Sequence, residues 1–256
     1  MPTWDPDVYE RFKTYRDRPA LDLLLQVPVD LDPREIWDLG CGTGEHAAVL
    51  ARRHRLARVH GLDSSENMLD RARTRDAAVD WILGDIQQFA PAMPPDLIFS
   101  NAALQWAGGH ERLVPGLIST LREGGVFACQ MPTAHAAPWY AAMAEVANEP
   151  AWAEKLMAVQ RPPPPARPEQ YYDWLAPICR QIDIWSTNYL HVLEGMDPVV
   201  EWVRGTALRP YLDALQPADQ RAFEAAYASR VRHILPPRSD GATLMPFSRL
   251  FIVARR

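Results

Sequence analysis

The run Trp37-Asp38-Leu39-Gly40-Cys41-Gly42-Thr43-Gly44-Glu45 sets one acid two residues ahead of three glycines that recur at every second position. Glycines spaced this closely give the chain unusual backbone angles and let a ligand press against the main chain with no Cβ in the way. A dinucleotide fingerprint would read G-x-G-x-x-G, with a diphosphate against the N-terminus of the following helix. Counted from Gly40, the third glycine of that pattern is replaced by Glu45, whose charge opposes a diphosphate. Asp38 suits a different ligand: an acid at the end of a strand can face an ammonium, which fits a cationic amino-acid tail without phosphate.

Strands and helices must bring such residues to one edge. Short apolar runs at 35–40, 57–63, 79–85, 96–102 and 124–132 alternate with helical patterns at about 44–54, from 64 onward and about 111–121. This alternation predicts βαβ units and a parallel sheet covered by helices on both faces, with the glycine run at the C-terminal edge where such sheets bind ligands. Ser64 or Ser65 can cap the helix that opens at "SSENML", with Glu66 in its first turn. Beyond residue 131 come helices near 135–148 and 151–158, then the semi-rigid connector "RPPPPARP". A strand over 181–192 and a final antiparallel strand over 248–255 flank about fifty largely helical residues. The first 26 residues read as two short helices divided at Pro19.

The 256 residues, 48% hydrophobic and 23% charged, describe a globular chain with a net charge of −5. The first 160 residues carry 15 Lys and Arg against 22 Asp and Glu, and the remainder carry 12 against 10. Nucleic acid is an unexpected partner for this balance, whereas a small anion held by arginines in the C-terminal part is compatible with it. Cys41, Cys129 and Cys179 lack metal-site spacing, so neither a zinc site nor a disulfide framework is expected; they read as small apolar fillers. "MPTWDPDVYERFK" has no signal-peptide pattern and no run approaches the ~18 apolar residues of a membrane span, so a cytoplasmic location without membrane contact is expected.

With these landmarks in order, the chain resembles the class I S-adenosylmethionine-dependent methyltransferases. The resemblance implies a seven-stranded, mostly parallel Rossmann-like sheet with an antiparallel last strand, N-terminal helices and a helical cap inserted before that strand. One domain over 1–256 is expected, with a cofactor-binding core at 30–132 and lid or cap elements at 1–29, about 133–177 and 195–245. S-adenosylmethionine would be held by Asp38, Gly40, Cys41 and Gly42. Asp63, with Ser64 and Met68 beside it, would accept from the ribose hydroxyls. Asp85 and Ile86 would meet the adenine, and Asn101 and Ala102 would also contact the cofactor, Asn101 ending strand 4 next to the loop that borders the acceptor. Trp4, Tyr9 and Arg18 would form a lid, with Arg18 neutralising the cofactor's carboxylate. Simpler roles stand beside these: Asp63 as a helix cap, Asp85 as a turn residue, Asn101 as a loop former.

The longer segments "YERFKTYRDRPALDLLLQVP", "DLIFSNAALQW", "IDIWSTNYLH", "VVEWVRGTALRPYL" and "SRLFIVARR" narrow the resemblance to the trans-aconitate 2-methyltransferase family. "MPT" stands where that family usually has "MPD", Ala207 where it has glycine and Ser248 where it has proline. The family esterifies a carboxylate of a small tricarboxylic acid. A carboxylate is already ionised at neutral pH, so no general base, and hence no catalytic residue of that kind, is expected. The acid would be met by Gln105 and Trp106 and by Arg204, Arg209, Tyr211 and Arg249, arginine being suited to carboxylates. His191 is a further candidate for a neutral hydrogen bond, against the simpler reading of a surface imidazole. The expected partner is that small acid, with a monomer or weak homo-oligomer as the assembly. A phenol or amine acceptor, or a non-catalytic cofactor-binding module, are the competing readings.

Overall fold

The computed structural model describes residues 13–75, 78–159 and 163–256. Five strands, β1 (Glu35–Leu39), β2 (Arg58–Asp63), β3 (Val79–Leu83), β4 (Leu97–Asn101) and β5 (Val126–Pro132), pair in parallel, while β6 (Gln181–Leu193) and β7 (Thr243–Arg255) add antiparallel. The seven-stranded order is β3-β2-β1-β4-β5-β7-β6. The expected architecture is therefore present, and the last strand is longer than its apolar core suggested.

One helix, α1 (Lys13–Gln26), runs straight through Pro19, where the sequence predicted a break. An internal proline costs about 3 kcal/mol. Here Ala20, Leu23 and Leu24 are buried against one sheet face on its far side, and Tyr15 packs on the cap on its near side. Packing at both ends outweighs the lost backbone bond. Helices α2 (Glu45–Arg53) and α3 (Glu66–Arg75) follow β1 and β2, and α4 (His110–Thr120) follows β4. Val114, Leu117, Ile118 and Leu121 fall on one stripe of α4 and its end, and all are buried, each worth about 1.5–3 kcal/mol.

Past β5 come α5 (Pro138–Ala147) and the short α6 (Ala153–Leu156), less than the 151–158 segment expected. Residues 163–167 form neither helix nor strand, with Arg167 extended, and α7 (Pro168–Leu175) starts at once from Pro168. In sequence the proline run hides the start of α7; in the structure Pro168 at the first helical position and the Gln170 side chain accepting from the Arg167 amide mark it. Helices α8 (Pro198–Arg204), α9 (Arg209–Asp213) and α10 (Pro217–Ile234) separate β6 from β7.

Strand β5 pairs with β7 only as far as Pro132 opposite Arg249, whereas β6 and β7 remain paired to Leu193 opposite Thr243. The two last strands therefore project as a ribbon past the C-terminal edge of the parallel strands. Leu193, Met245 and Phe247 of that ribbon belong to one apolar cluster with Trp139, Trp202, Phe223 and Tyr227 of the helices. Trp139 Nε1 donates to the Pro246 carbonyl at 3.0 Å, and the Tyr227 hydroxyl donates to the Trp139 carbonyl at 3.0 Å. The inserted helices are thus anchored on the ribbon beside the ligand-binding edge.

Candidate active site

The glycine run bridges β1 and β2, with the Gly40 and Cys41 amides both donating to the Leu62 carbonyl at 2.7 and 3.0 Å. Gly40 has φ +74°, and a Cβ there would stand 2.2 Å from the Cβ of Ala103; Gly44 has φ +80°, and a Cβ would stand 2.3 Å from the Trp81 ring. Both positions demand glycine by conformation and by space. Around Gly42, by contrast, a Cβ would meet nothing of the described residues within 4 Å, which leaves the main chain open to them at the centre of the loop.

Asp38 is 1% exposed, and its Oδ2 has no hydrogen-bond partner among the described residues. Burial, followed by the charge of Asp63, raises its carboxyl to about 8, and the Ala47 amide offsets this only in part. A carboxyl group built into a dry site without a cation among the described residues is poised for a ligand that brings one. Cys41 is buried beside it, and burial pushes its thiol up, so it is a filler between the glycines, with no nucleophilic character.

Asp63 accepts from the Gly42 amide at 2.8 Å and the Ser65 amide at 2.9 Å, tying loop to α3. Burial raises its carboxyl despite those bonds. Ser64 is exposed and Met68 buried. Asp85 is exposed and caps the short turn Ile86–Gln88 by accepting from the Gln87 amide at 2.9 Å; Ile86 lies half-buried, its side chain beside Gly40. Trp4 and Tyr9 fall outside the described residues.

At the end of β4, the Asn101 Oδ1 is buried without a partner among the described residues. Ala102 adopts φ +53°, uncommon for a residue with a Cβ, and donates its amide to the Gln130 carbonyl at 2.9 Å. Gln105 is buried and Trp106 is 42% exposed. His110 fixes this turn: its Nε2 lies 2.9 Å from the Leu104 carbonyl, so that nitrogen carries the proton, and its Nδ1 accepts from the Tyr171 hydroxyl at 2.5 Å.

The pairing registers put the remaining polar residues on one face. Residues directly opposite across a sheet share a face, and alternate residues return to it. Asp38 lies opposite Phe99, Asn101 opposite Gln130, Gln130 opposite Phe251, and Tyr189 opposite Phe247. Asp38, Asn101, Gln130, Arg249, Tyr189 and His191 therefore project from the same side of the sheet. Arg249 is only 4% exposed; its Nη1 donates to Gln130 Oε1 at 3.1 Å, and its guanidinium lies 4.8 Å from the Phe247 ring centre. Arg18, exposed on α1, lies over the Tyr189 ring at 5.4 Å, which seats it at this end of the edge.

His191 departs from the surface imidazole expected of it. It is 3% exposed and stacks on Trp202 at 4.8 Å with Tyr15 edge-on at 4.9 Å. Burial, then the charges of Arg249 and Arg18, lower it from 6.5 to about 4. Between these two values the unfolded chain binds a proton that the folded one refuses, so stability is lost as pH falls from about 6.5 toward 4. His191→Phe is expected to flatten the melting temperature across that interval, as scanning calorimetry at pH 4.5 and 7 would show; an unchanged slope would contradict the buried neutral ring.

The other expected acid-binding residues lie in the cap. Arg204 is exposed and pairs with Glu224 at 2.6 Å, Arg209 lies 3.2 Å from Asp213 one turn on, and Tyr211 is buried with its ring 5.6 Å from Phe223. Arg249 is the arginine that the structure buries at the sheet edge. Sequence spacing overlooked Gln130 and Tyr189, which only the strand registers bring to it.

Residues 36–125 match a methyltransferase domain family. A trans-aconitate 2-methyltransferase of Azoarcus sp. (strain BH72) is 46% identical over 256 residues, all of both chains, and one of Rhodopseudomonas palustris (strain BisB18) is 42% identical over 255 residues, 99% of each. The YcgJ protein of Bacillus subtilis, of known structure, superposes with a TM-score of 0.61 at 14% identity over 93% of this chain and 98% of its own, a likeness of fold. Similarity at this level from end to end settles the family: the chain belongs to the trans-aconitate 2-methyltransferase family of S-adenosylmethionine-dependent enzymes.

Proposed function

We propose that the protein esterifies a carboxylate of a small polycarboxylic acid, trans-aconitate first among them, with the methyl group of S-adenosylmethionine. The observation that carries this reading is the buried Arg249, which stands on the same sheet face as the buried Asp38, whose Oδ2 has no partner among the described residues. One end of the edge is made for a cation and the other for an anion.

The residues present fit S-adenosylmethionine. Asp38 offers a buried carboxylate to an ammonium, the open main chain at Gly42 leaves room for the amino-acid portion, and Asp63, Ser64, Met68, Asp85 and Ile86 flank the path toward the nucleoside. When bound, the cosubstrate supplies an electrophilic methyl group on a sulfonium. The protein's own work is to orient and to exclude water. Arg249, locked by Gln130, can grip an acid carboxylate with its planar fork, and Arg18 adds a second positive charge at that end. His110 and Tyr171 hold the turn that carries Gln105 and Trp106 beside Asn101. No proton need be removed from an ionised carboxylate, and the cysteines with their raised thiols and the neutral His191 suit a site without a strong base. On this reading the enzyme is cytoplasmic and acts as a monomer or weak homo-oligomer.

Incubation with S-adenosylmethionine and a panel of trans-aconitate, citrate, isocitrate, itaconate, a phenol and an amine tests the reading. A methyl ester from trans-aconitate, with kcat/KM at least about tenfold above any phenol or amine, is expected. Methylation of the phenol or amine alone would replace the reading.

A further inference from the structure

The buried polar atoms without hydrogen-bond partners at this edge differ in kind. Among the described residues, Asp38 Oδ2, Asn101 Oδ1 and Gln105 Oε1 are acceptors, whereas Gln130 Nε2 is a donor. The amide orientations follow from their partners. Gln105 Nε2 donates to the Ala102 carbonyl at 2.6 Å, which leaves its oxygen over. Gln130 Oε1 accepts from Arg249 at 3.1 Å, and since a guanidinium can only donate, the group left over on Gln130 is its NH2. Gln130 is wholly buried, in register with Asn101 on one side and Phe251 on the other, so it stands between the acceptor-lined strands and the arginine. A buried donor left unmatched costs about 1–3 kcal/mol, and natural proteins seldom carry one without use.

We propose that Gln130 determines specificity for the acid: its Oε1 fixes the Arg249 guanidinium, and its Nε2 donates alongside it to a carboxylate of the acceptor. The proposal rests on the methyl-transfer reading above and extends it. The carboxylate so held is the one that does not react. Charge-assisted bonds from both groups would draw electron density from a nucleophilic oxygen, whereas on a neighbouring carboxylate they only position the molecule. The substrate class is therefore acids with at least two carboxylates, and a monocarboxylate lacks the group that Gln130 and Arg249 hold.

The test measures kcat and KM for trans-aconitate and for crotonate, a monocarboxylate, in the wild type, Gln130→Met and Gln130→Glu. The dissociation constant of S-adenosylhomocysteine is measured alongside. Losing one bond to a charged group should raise the trans-aconitate KM by about tenfold or more in Gln130→Met, and by about a hundredfold in Gln130→Glu, where a new negative charge faces the acid. In Gln130→Met, kcat should stay within about threefold; in both variants S-adenosylhomocysteine binding should stay within about twofold, and the preference for trans-aconitate over crotonate should shrink. A KM within threefold of wild type in both variants would overturn the proposal. So would loss of S-adenosylhomocysteine binding, which would make Gln130 a support of the fold. A wild type that methylates no acid would instead overturn the parent reading, and this one with it.

Discussion

Asp38→Asn is expected to weaken S-adenosylhomocysteine binding by about a hundredfold at pH 8 while raising the melting temperature of the ligand-free protein at that pH. The two effects share a cause. In the free protein the carboxyl is raised from 3.8 to about 8 by burial and by Asp63, so the folded state holds a proton that the unfolded chain has released. Stability from this group therefore falls as pH rises between those two values, the opposite of a salt-bridged carboxylate. A ligand ammonium supplies the missing partner, and a charge-assisted bond in a dry site is worth roughly 3 kcal/mol, or about a hundredfold in affinity. Asparagine keeps an oxygen for the Ala47 amide but removes the charge and its penalty together. Below pH 8 the wild type should bind more tightly with each rise in pH and release a proton on binding. Titration calorimetry in buffers of different ionisation enthalpy reads both, and equal affinities for wild type and variant across pH 6 to 9 would sink the assignment.

Arg249→Leu is expected to cut kcat/KM for trans-aconitate by about a thousandfold and to leave S-adenosylhomocysteine binding within about twofold. Removing one member of a buried, hydrogen-bonded charge pair costs roughly 2–5 kcal/mol, and Arg249 is the cation this edge buries. The variant leaves Gln130 Oε1 without its donor, so a melting temperature recorded beside the assay separates loss of the fold from loss of the grip on the acid. Arg249→Lys keeps the charge and loses the planar fork, so it should fall between the two. Arg204→Ala, which opens only an exposed pair with Glu224, should change turnover by less than about twofold under the same steady-state assay.

The cofactor end of the site is legible in the sequence because its constraints are local. Gly40 and Gly44 announce positive φ angles, Asp38 sits beside them, Asp63 ends β2 and Asp85 follows β3 by two residues, so that spacing alone lays them in order. The sheet is legible for the same reason, since each strand carries its own apolar run. What spacing leaves hidden is set by pairing between distant segments. Gln130 in "FACQMP" looks like a stray polar residue, and its meaning appears only when β4, β5 and β7 are aligned. His191 reads as a surface imidazole because β6 alternates with exposed neighbours such as Leu190 and Val192; helix α8 and Tyr15 of α1 then bury it. Pro19 misleads in the opposite direction, a strong local signal overridden by packing on both sides of it.

The central claim is methyl transfer to a carboxylate oxygen, and the product itself tests it most directly. S-adenosylmethionine bearing a trideuterated methyl group and trans-aconitate should give, by mass spectrometry, an acid carrying one such methyl, and mild alkali should return trans-aconitate with the label released as methanol. A labelled product that resists alkali, or no labelled acid at all, would contradict it.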